Sequence, residues 1–437
     1  MKLTASKVLF IITIFLLQAC ATSKAPVAKP TTFMYGDALP DAPELALRGK
    51  YGVGVRTLSL VNKGQIDVLN SKKGVDPLYD RPLTLEIWYP AIIPAGKTAL
   101  ATYHDTYGSA ADSSRPLTPF TFEGRSLRDA APDKSAGPYP LVIVSHGYPG
   151  SRVLLSYLTE NLASKGYIVV AIDHTESTHG DTKGFQSTLL NRAKDILFVL
   201  NQMGISGKSN SGDFLAGLVD ADNTALIGYS MGGYGVLNAA GAGYSEKLKG
   251  FFATMTGGSK AIEARVAGNP GFIASIDPRV KAVVAFAPWG MRLGVWDKEG
   301  LKGLKVPTFF VAGSKDDVSG YEDGTKAIYE SSINANRYLL TYENARHNVA
   351  PNPPPPELFK LATFADYYHY AEPAWDERRI NNINQHFVTA FLGIYLQHKD
   401  FGKYLSIADS TSSSTSWPGF KPRSFVGLEL AHQQAGN

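Results

Sequence analysis

The chain has 437 residues, of which 44% are apolar and 19% are charged, and its formal net charge is +4. This composition excludes an intrinsically disordered chain, and the length is sufficient for one large domain or two with a substantial core. The charge excess is too small to form the basic surface of a nucleic-acid-binding protein, so we expect no nucleic-acid partner.

The N-terminus has the features of an export signal. Lys2 and Lys7 precede an apolar run over residues 8–17, which is too short to span a bilayer as a mature helix. The sequence Leu-Gln-Ala-Cys follows at residues 17–20 and resembles the lipobox of bacterial lipoproteins. That resemblance implies a lipoprotein signal peptide over residues 1–19, cleavage before Cys20 and acylation of Cys20. A plain secretory signal followed by an incidental cysteine is the alternative.

Cys20 is the only cysteine in the sequence, so an exported form would contain no internal disulfide. Lipid attachment therefore explains this residue better than a structural role. Residues 20–46 are rich in Ala, Pro, Thr and Lys and predict a lipidated tether. The resemblance to lipoproteins implies a protein of the bacterial cell envelope that binds the membrane through its lipid anchor. Ala21 after the cysteine implies transfer to the outer membrane.

The predicted globular domain, residues 47–437, begins with β-strands. Residues 51–61 and 83–89 alternate between apolar and polar side chains, which is typical of antiparallel strands at the edge of a sheet. Residues 91–139 are rich in Pro, Ser and Asp and have no sustained period. They therefore predict an insertion ahead of the central sheet.

From residue 140 onwards, short apolar segments alternate with helical patterns, which predicts a mostly parallel sheet with helices on both faces. The predicted strands are 141–145, 167–172, 224–227, 280–285, 306–312 and 337–342, and the predicted helices are 152–165, 187–203, 233–242 and 376–397. Residues 243–279 form a second predicted insertion, which is a candidate cap.

The segment Gly228-Tyr229-Ser230-Met231-Gly232 lies between a predicted strand and a predicted helix. In that context a Gly-x-Ser-x-Gly pattern is typical of a nucleophile elbow, in which a sharp turn presents a serine hydroxyl to the substrate. The two glycines leave room for the turn. A glycine turn with an incidental serine is the alternative.

A serine nucleophile requires a base, and the base requires an acid that holds its orientation. In proteins with such an elbow the chain order is serine, acid, histidine. Among the histidines after Ser230, His347 lies in a loop directly after a predicted strand, and His369 remains the alternative base. Asp316 and Asp317 follow the preceding predicted strand, and both are candidates for the acid.

An oxyanion hole requires two backbone N–H groups, one from the residue after the nucleophile and one from a loop after an earlier strand. These residues are Met231 and Tyr148, the latter in the segment that follows the predicted strand 141–145. We predict that His146 packs within this loop, because it precedes the serine and therefore has the wrong order for the base.

These segments resemble the dienelactone-hydrolase-like and platelet-activating-factor-acetylhydrolase-like group of the α/β-hydrolase superfamily and its polyester-hydrolase (cutinase) relatives. The matching motifs are residues 145–148, 162–173, 228–232, 287–289, 313–318 and 344–347. The resemblance implies an α/β-hydrolase fold. It favours Asp316 over Asp317, because in related hydrolases the acid comes three residues after a glycine and two before an apolar residue. Dienelactone hydrolases proper use a cysteine where this chain has Ser230, so their substrate is not implied.

The same resemblance implies an aromatic substrate-binding wall. Trp289 occupies the position where polyester-hydrolase relatives place an aromatic residue beside the scissile ester, and Tyr148 and Tyr229 complete an apolar cleft. Trp289 as an ordinary core residue is the alternative, since tryptophans are mostly buried.

The implied function is hydrolysis of carboxylic esters through an acyl-enzyme, with Ser230, Asp316 and His347 as the catalytic triad. The alternatives are acyl transfer to an alcohol or envelope polymer, and a surface-binding lipoprotein on an inactive hydrolase scaffold. The sequence contains no Cys/His cluster, His-Glu-x-x-His pair or phosphate loop, so we expect no metal and no cofactor. No feature indicates a particular oligomeric state.

Overall fold

The computed structural model describes residues 34–356, 358, 364–407 and 416–436. The predicted signal peptide, Cys20 and the first part of the predicted tether lie outside the described residues. Within these described ranges, no helix has the length and apolar character needed to cross a membrane.

Strands and helices alternate through the middle of the chain, as the sequence pattern predicts. The strands are β1 (Gly52–Ile66), β2 (Leu78–Ile92), β3 (Ala101–Tyr107), β4 (Thr118–Gly124), β5 (Leu127–Arg128), β6 (Ala131–Pro132), β7 (Tyr139–Ser145), β8 (Ile168–Asp173), β9 (Val219–Tyr229), β10 (Val280–Phe286), β11 (Thr308–Gly313), β12 (Arg337–Tyr342) and β13 (Leu428–Gln433). The α-helices are α1 (Ser156–Ser164), α2 (Phe185–Ser206), α3 (Met231–Ala239), α4 (Glu246–Met255), α5 (Pro270–Ala274), α6 (Lys298–Leu301), α7 (Lys326–Ser331), α8 (Phe364–Tyr368) and α9 (Glu377–Gln397).

In the described part of the chain, one 11-stranded sheet has the order β13-β12-β11-β10-β9-β7-β8-β2-β1-β5, with β6 paired to β2. The strands from β12 to β8 in this order run parallel to one another. At one edge β2 and β1 pair antiparallel with their neighbours, and at the other edge β13 does the same. The predicted parallel sheet with an antiparallel N-terminal edge is therefore confirmed.

Helices cover both faces of the sheet because its central strands are apolar on both sides, and every residue of β11 and β12 is buried. Helices α1 and α9 contribute Leu158 and Phe387 to the core on one side, here called the first face. Helices α2 and α3 contribute Leu189 and Tyr234 to the core on the opposite side, the second face.

The strand order reverses at β7, because β8 lies on one side of it and β9 on the other. Open α/β sheets bind ligands at such a point, in the crevice outside the carboxyl ends of the strands. The loop with Tyr148 follows β7, and Ser230 follows β9. The topology therefore brings these two residues to the same crevice.

Residues 34–46 differ from the prediction that they form part of a tether. The N–H of Leu39 donates to Asn382 Oδ1 over 2.9 Å, and the N–H of Leu45 donates to His386 Nδ1 over 3.1 Å. Both acceptors lie on α9, so this segment is held against the sheet domain. Proline content predicted the lack of regular structure here, but it did not reveal these long-range hydrogen bonds.

The two predicted insertions contain regular elements. Residues 91–139 include β3 and β4, which pair as a separate two-stranded sheet, and residues 243–279 include α4 and α5. The C-terminal segment contains β13, for which we made no prediction. Its buried side chains are Leu428 and Leu430, and two apolar residues are too few to reveal a strand by alternation.

Candidate active site

Ser230 lies at the turn between β9 and α3. Its backbone has φ 53° and ψ −113°, which L-residues rarely adopt. The flanking glycines are required by close approach, because a Cβ on Gly228 would lie 2.2 Å from the carbonyl oxygen of Gly232, and one on Gly232 would lie 1.9 Å from that of Ser145. The turn directs Ser230 into a narrow crevice, where only 7% of the residue is solvent-accessible.

His347 and Asp316 meet at Ser230. His347 follows β12, and its Nε2 lies 2.9 Å from Ser230 Oγ. Its Nδ1 lies 3.1 Å and 3.0 Å from the two carboxylate oxygens of Asp316, which follows β11. The hydroxyl, the imidazole and the carboxylate thus form a continuous hydrogen-bonded series. In such a series the histidine can accept the serine proton.

The environment of Asp316 favours its ionised form. Burial by itself would raise the pKa of this carboxyl group, but the neighbouring His347 and the hydrogen bonds from two backbone N–H groups outweigh burial, so the pKa is lowered. Those N–H groups belong to Val318 and Ser319 and donate to Oδ1 over 2.9 Å and 2.8 Å. Asp316 is therefore charged at neutral pH and able to stabilise an imidazolium at His347.

Asp317 contacts different partners. Its carboxylate accepts a hydrogen bond of 2.7 Å from the hydroxyl of Tyr368 and one of 3.2 Å from Arg346, and its side chain is 42% exposed. The structure therefore places Asp316, and not Asp317, against His347. Asp317 instead holds Tyr368, which lines the crevice at Ser230.

The N–H groups of Tyr148 and Met231 donate to no protein acceptor in the described part of the chain. Met231 is the first residue of α3, where a helix has no internal partner for its N–H groups. Gly147 precedes Tyr148, and its carbonyl oxygen lies 2.7 Å from His146 Nδ1. His146 thus packs within its own loop, and both N–H groups remain available to a ligand oxygen.

Arg192 on α2 also contacts this loop, and sequence reasoning missed it. The side chain is buried, and its guanidinium donates to the carbonyl oxygens of His146 and Gly147 over 2.7 Å and 3.3 Å. No carboxylate among the described residues forms an ion pair with it. The available signal was a cation on the apolar face of a predicted helix, three residues after Leu189.

The crevice at Ser230 has a volume of about 190 Å³ and includes Tyr148, Tyr229 and Tyr368 in its walls. Tyr229 is buried, and its hydroxyl donates to Asn348 Oδ1 over 2.9 Å. The tyrosine and imidazole ring centroids of Tyr229 and His347 are 5.3 Å apart. Tyr229 therefore supports the histidine as well as lining the crevice.

Trp289 lies beside Ser230 but in a different wall from the one expected. Its backbone N–H donates to the carbonyl oxygen of Ser230 over 3.1 Å, while its half-buried side chain lines a second cavity. The Trp289 ring packs against Phe185 at 5.1 Å, and Phe185 packs against Tyr148 at 5.3 Å. These three rings, here called the aromatic row, join the Ser230 crevice to the second cavity.

A second serine, histidine and aspartate are hydrogen-bonded beneath the same loop. Ser145 Oγ lies 2.9 Å from His174 Nε2, and His174 Nδ1 lies 2.9 Å from Asp195 Oδ2. Asp195 also forms an ion pair with Arg81 at 2.9 Å. All four residues are buried, so this cluster is closed to substrate. Its hydrogen bonds fix the end of β7, from which the Tyr148 loop begins.

His369, the alternative base, lines the crevice but packs at 5.0 Å against His179. Burial lowers its pKa to about 3. No hydrogen bond joins His369 to Ser230 within the described ranges, whereas His347 makes one. In the same ranges, no three His, Cys, Asp or Glu side chains are grouped so that they could hold a metal ion.

Proteins similar to this chain in sequence include cutinases. Residues 128–256 match the family model described as PET hydrolase-like. The chain is 24% identical over 215 residues to Cutinase est1 of Thermobifida alba, a match that covers 49% of this chain and 55% of that protein. It is 23% identical over 245 residues to Cutinase 2 of Thermobifida cellulosilytica, covering 56% of this chain and 70% of that protein. The match to the Thermobifida alba protein thus spans little more than half of its length.

The family match includes Tyr148, Ser230 and Met231 but ends before Asp316 and His347. Among solved structures, the chain is similar to a ferulic acid esterase from Streptomyces cinnamoneus, with a TM-score of 0.52 and 20% identity over 82% of this chain and 94% of that one. Together with the strand order and the elbow at Ser230, these similarities identify the chain as an α/β-hydrolase in fold.

Proposed function

We propose that the protein is a serine hydrolase that cleaves carboxylic esters through an acyl-enzyme intermediate. The observation that carries this proposal is the hydrogen-bonded series from Ser230 through His347 to Asp316. The similarity to proteins named as cutinases supports it.

In the first half of the reaction His347 Nε2 accepts the Ser230 hydroxyl proton while Oγ forms a bond to the ester carbonyl carbon. The tetrahedral intermediate then loses its alcohol, whose oxygen takes the proton from Nε2. In the second half a water molecule gives a proton to Nε2 and its oxygen bonds to the acyl carbon. The bond to Oγ breaks, Oγ regains the proton, and the carboxylic acid leaves.

The N–H groups of Tyr148 and Met231 bind the oxyanion in both halves. Because these N–H groups donate to no acceptor among the described residues, they require no rearrangement when negative charge develops on the carbonyl oxygen. Loss of one such donor in comparable enzymes lowers kcat by about 10² to 10³.

The substrate is an apolar or aromatic ester, either small or part of a polymer. The aromatic row supports this choice, because its three contacting rings begin at the crevice and are only partly buried. The names of the cutinase relatives and of the PET hydrolase-like family model agree with it.

The test is hydrolysis of 4-nitrophenyl acetate by the wild type and by Ser230→Ala. We expect the variant to lose at least a factor of about 10³ in kcat while it keeps the wild-type melting temperature. A folded variant that retains more than about a thousandth of the activity would show that another group is the nucleophile. Addition of a competing alcohol separates hydrolysis from acyl transfer, because a transferase would form the new ester in place of the free acid.

We also propose that acylated Cys20 anchors the protein to the bacterial envelope, at the outer membrane. The lipobox-like residues 17–20 support this proposal. Wild-type protein should stay with washed membranes at high salt, because an acyl anchor is hydrophobic, and Cys20→Ser should lose lipid labelling. Release of the wild type by salt alone would contradict the anchor.

A further inference from the structure

Beyond Trp289 lies a second cavity of about 270 Å³ on the second face of the sheet. One wall is formed by α4, which contributes Lys247, Leu248 and Phe251, and the opposite wall contains Trp289 and Leu293. We call this cavity the α4 pocket. Phe251 and Leu293 are 54% and 58% exposed, so large apolar side chains face solvent at its mouth. An apolar pocket with exposed apolar side chains at its mouth is typical of a ligand-binding site.

The α4 pocket is held in a defined shape. The N–H of Ser245, the residue before α4, donates to the carbonyl oxygen of Val295 over 2.8 Å, and its side chain caps the helix by accepting from the N–H of Leu248. The Ser245 hydroxyl also donates to the carbonyl oxygen of Gly294. The helix and the loop after Trp289 are therefore tied together at the base of the pocket.

The pocket carries positive charge at its rim. Lys247 lines it, and its ammonium group forms no ion pair within the described part of the chain. The second cation, Arg292, lies 3.1 Å from Asp323, and both of these side chains are largely exposed. An unpaired ammonium beside an apolar cavity favours a ligand with an apolar body and an anionic end.

The geometry of the reaction indicates which part of an ester points toward this pocket. In the tetrahedral intermediate the oxyanion faces Tyr148 and Met231, and the leaving alcohol must lie at His347, which protonates it. The loop of His347 packs against the first-face core through Ala345 and Val349, whereas Leu248 and Val295 of the α4 pocket belong to the second-face core. The acyl chain takes the remaining direction, along the aromatic row that runs from Tyr148 in the crevice to Trp289 in the α4 pocket.

We propose that the α4 pocket binds the distal part of the acyl group and that Lys247 binds a carboxylate at its end. The preferred substrates are then esters whose acyl chain ends in a second, free carboxylate, such as monoesters of dicarboxylic acids. This inference rests on the proposed ester hydrolysis and adds to it a substrate class.

The test compares two substrates with the same leaving group. 4-Nitrophenyl hydrogen adipate has an anionic chain end, and 4-nitrophenyl methyl adipate has a neutral one. The readout is the ratio of kcat/KM for the anionic ester to that for the neutral ester. We expect Lys247→Met to lower this ratio about threefold to fivefold, which is the strength of a solvent-exposed ion pair. High salt should lower the wild-type ratio toward that of the variant.

The matched control is Lys249→Met, on the same helix. Lys249 pairs with Glu246 and does not line the pocket. Its substitution therefore removes the same charge as Lys247→Met without changing the lining of the α4 pocket. We expect the control to keep the wild-type ratio. A ratio unchanged by Lys247→Met, or lowered equally by Lys249→Met, would overturn the proposal.

Two further measurements distinguish a failure of this inference from a failure of the proposed ester hydrolysis on which it rests. Phe251→Ala should lower kcat/KM for both adipate esters relative to 4-nitrophenyl acetate, whose acyl chain is too short to reach α4. An equal effect on all three esters would exclude the pocket as the acyl site. Absence of hydrolysis of the acetate ester by the wild type would instead refute the proposed function itself.

Discussion

Arg192 Nη1 donates a hydrogen bond of 2.7 Å to the carbonyl oxygen of His146, from a guanidinium that is buried on α2. Nη2 reaches the next carbonyl oxygen, that of Gly147, over 3.3 Å. In a trans peptide the N–H points away from the preceding carbonyl oxygen. By holding the Gly147 carbonyl toward α2, Arg192 therefore directs the N–H of Tyr148 toward the crevice at Ser230.

We expect Arg192→Met to lower kcat by about 10 to 10² with little change in KM, since a misdirected N–H costs part of the stabilisation from one oxyanion donor. Arg192→Lys should recover only part of the loss, because an ammonium cannot reach both carbonyl oxygens. The measurement is steady-state kinetics on 4-nitrophenyl acetate, with kcat calculated from the active-enzyme concentration that active-site titration gives, which excludes unfolded protein. An unchanged kcat in folded Arg192→Met would contradict the positioning role.

Asp316→Asn and Asp317→Asn should differ strongly. Asp316 contacts His347 Nδ1, so the amide should favour the wrong imidazole tautomer and lower kcat by about 10⁴. Asp317 contacts Tyr368 and Arg346 at a partly exposed position, and its loss should change kcat/KM by less than about threefold. A kcat comparison of the two variants decides the assignment, and the reverse order would make Asp317 the acid.

Trp289→Ala should affect both stability and substrate binding. The ring contacts Phe185 at 5.1 Å and Tyr234 at 6.2 Å but remains only half-buried, so we expect the free energy of unfolding to fall by about 2 kcal/mol. KM for long or aromatic acyl esters should rise several-fold, while KM for an acetyl ester changes little. Urea denaturation and an ester series provide the two measurements, with Trp289→Phe as the control that keeps an aromatic ring. Equal losses for all esters would leave Trp289 with a purely structural role.

The buried Asp195 should make stability depend on pH in acid. Burial would raise the pKa of its carboxyl group, but the charge of Arg81 and the hydrogen bonds from His174 and Arg81 outweigh it and lower the pKa from 3.8 to about 2. A lowered native pKa contributes stability that is present above pH ~4 and lost as pH falls to ~2, because the unfolded chain binds the proton first. The loss from this group is about 2 kcal/mol.

Denaturation of the wild type and Asp195→Asn at several pH values tests this assignment. The variant should be less stable by about 3 to 5 kcal/mol at pH ~7, because Arg81 loses its main buried partner. The difference between the two proteins should shrink as pH falls from ~4 to ~2. A difference that stays constant over this range would show that Asp195 is not ionised in the folded protein.

The sequence alone determined the central sheet and the elbow. Buried parallel strands such as β8 and β11 are mostly apolar runs, and the two glycines around Ser230 lie in a turn that leaves no room for side chains. Local sequence patterns therefore reveal both features. The chain order of serine, acid and histidine also follows from the motif and the strand order.

Only the tertiary structure decided which side chains meet. Asp316 and Asp317 are neighbours in sequence, and their separation into a contact with His347 and a contact with Tyr368 depends on how two distant loops approach each other. Ser230 and His347 are 117 positions apart, and their 2.9 Å hydrogen bond produces no periodic pattern in the sequence. The same is true of the hydrogen bond from Arg192 to the Tyr148 loop. Trp289 likewise faces the α4 pocket because an inserted helix stands opposite it. Periodicity reports which face of an element is buried, but the partners across that face are set by packing between elements.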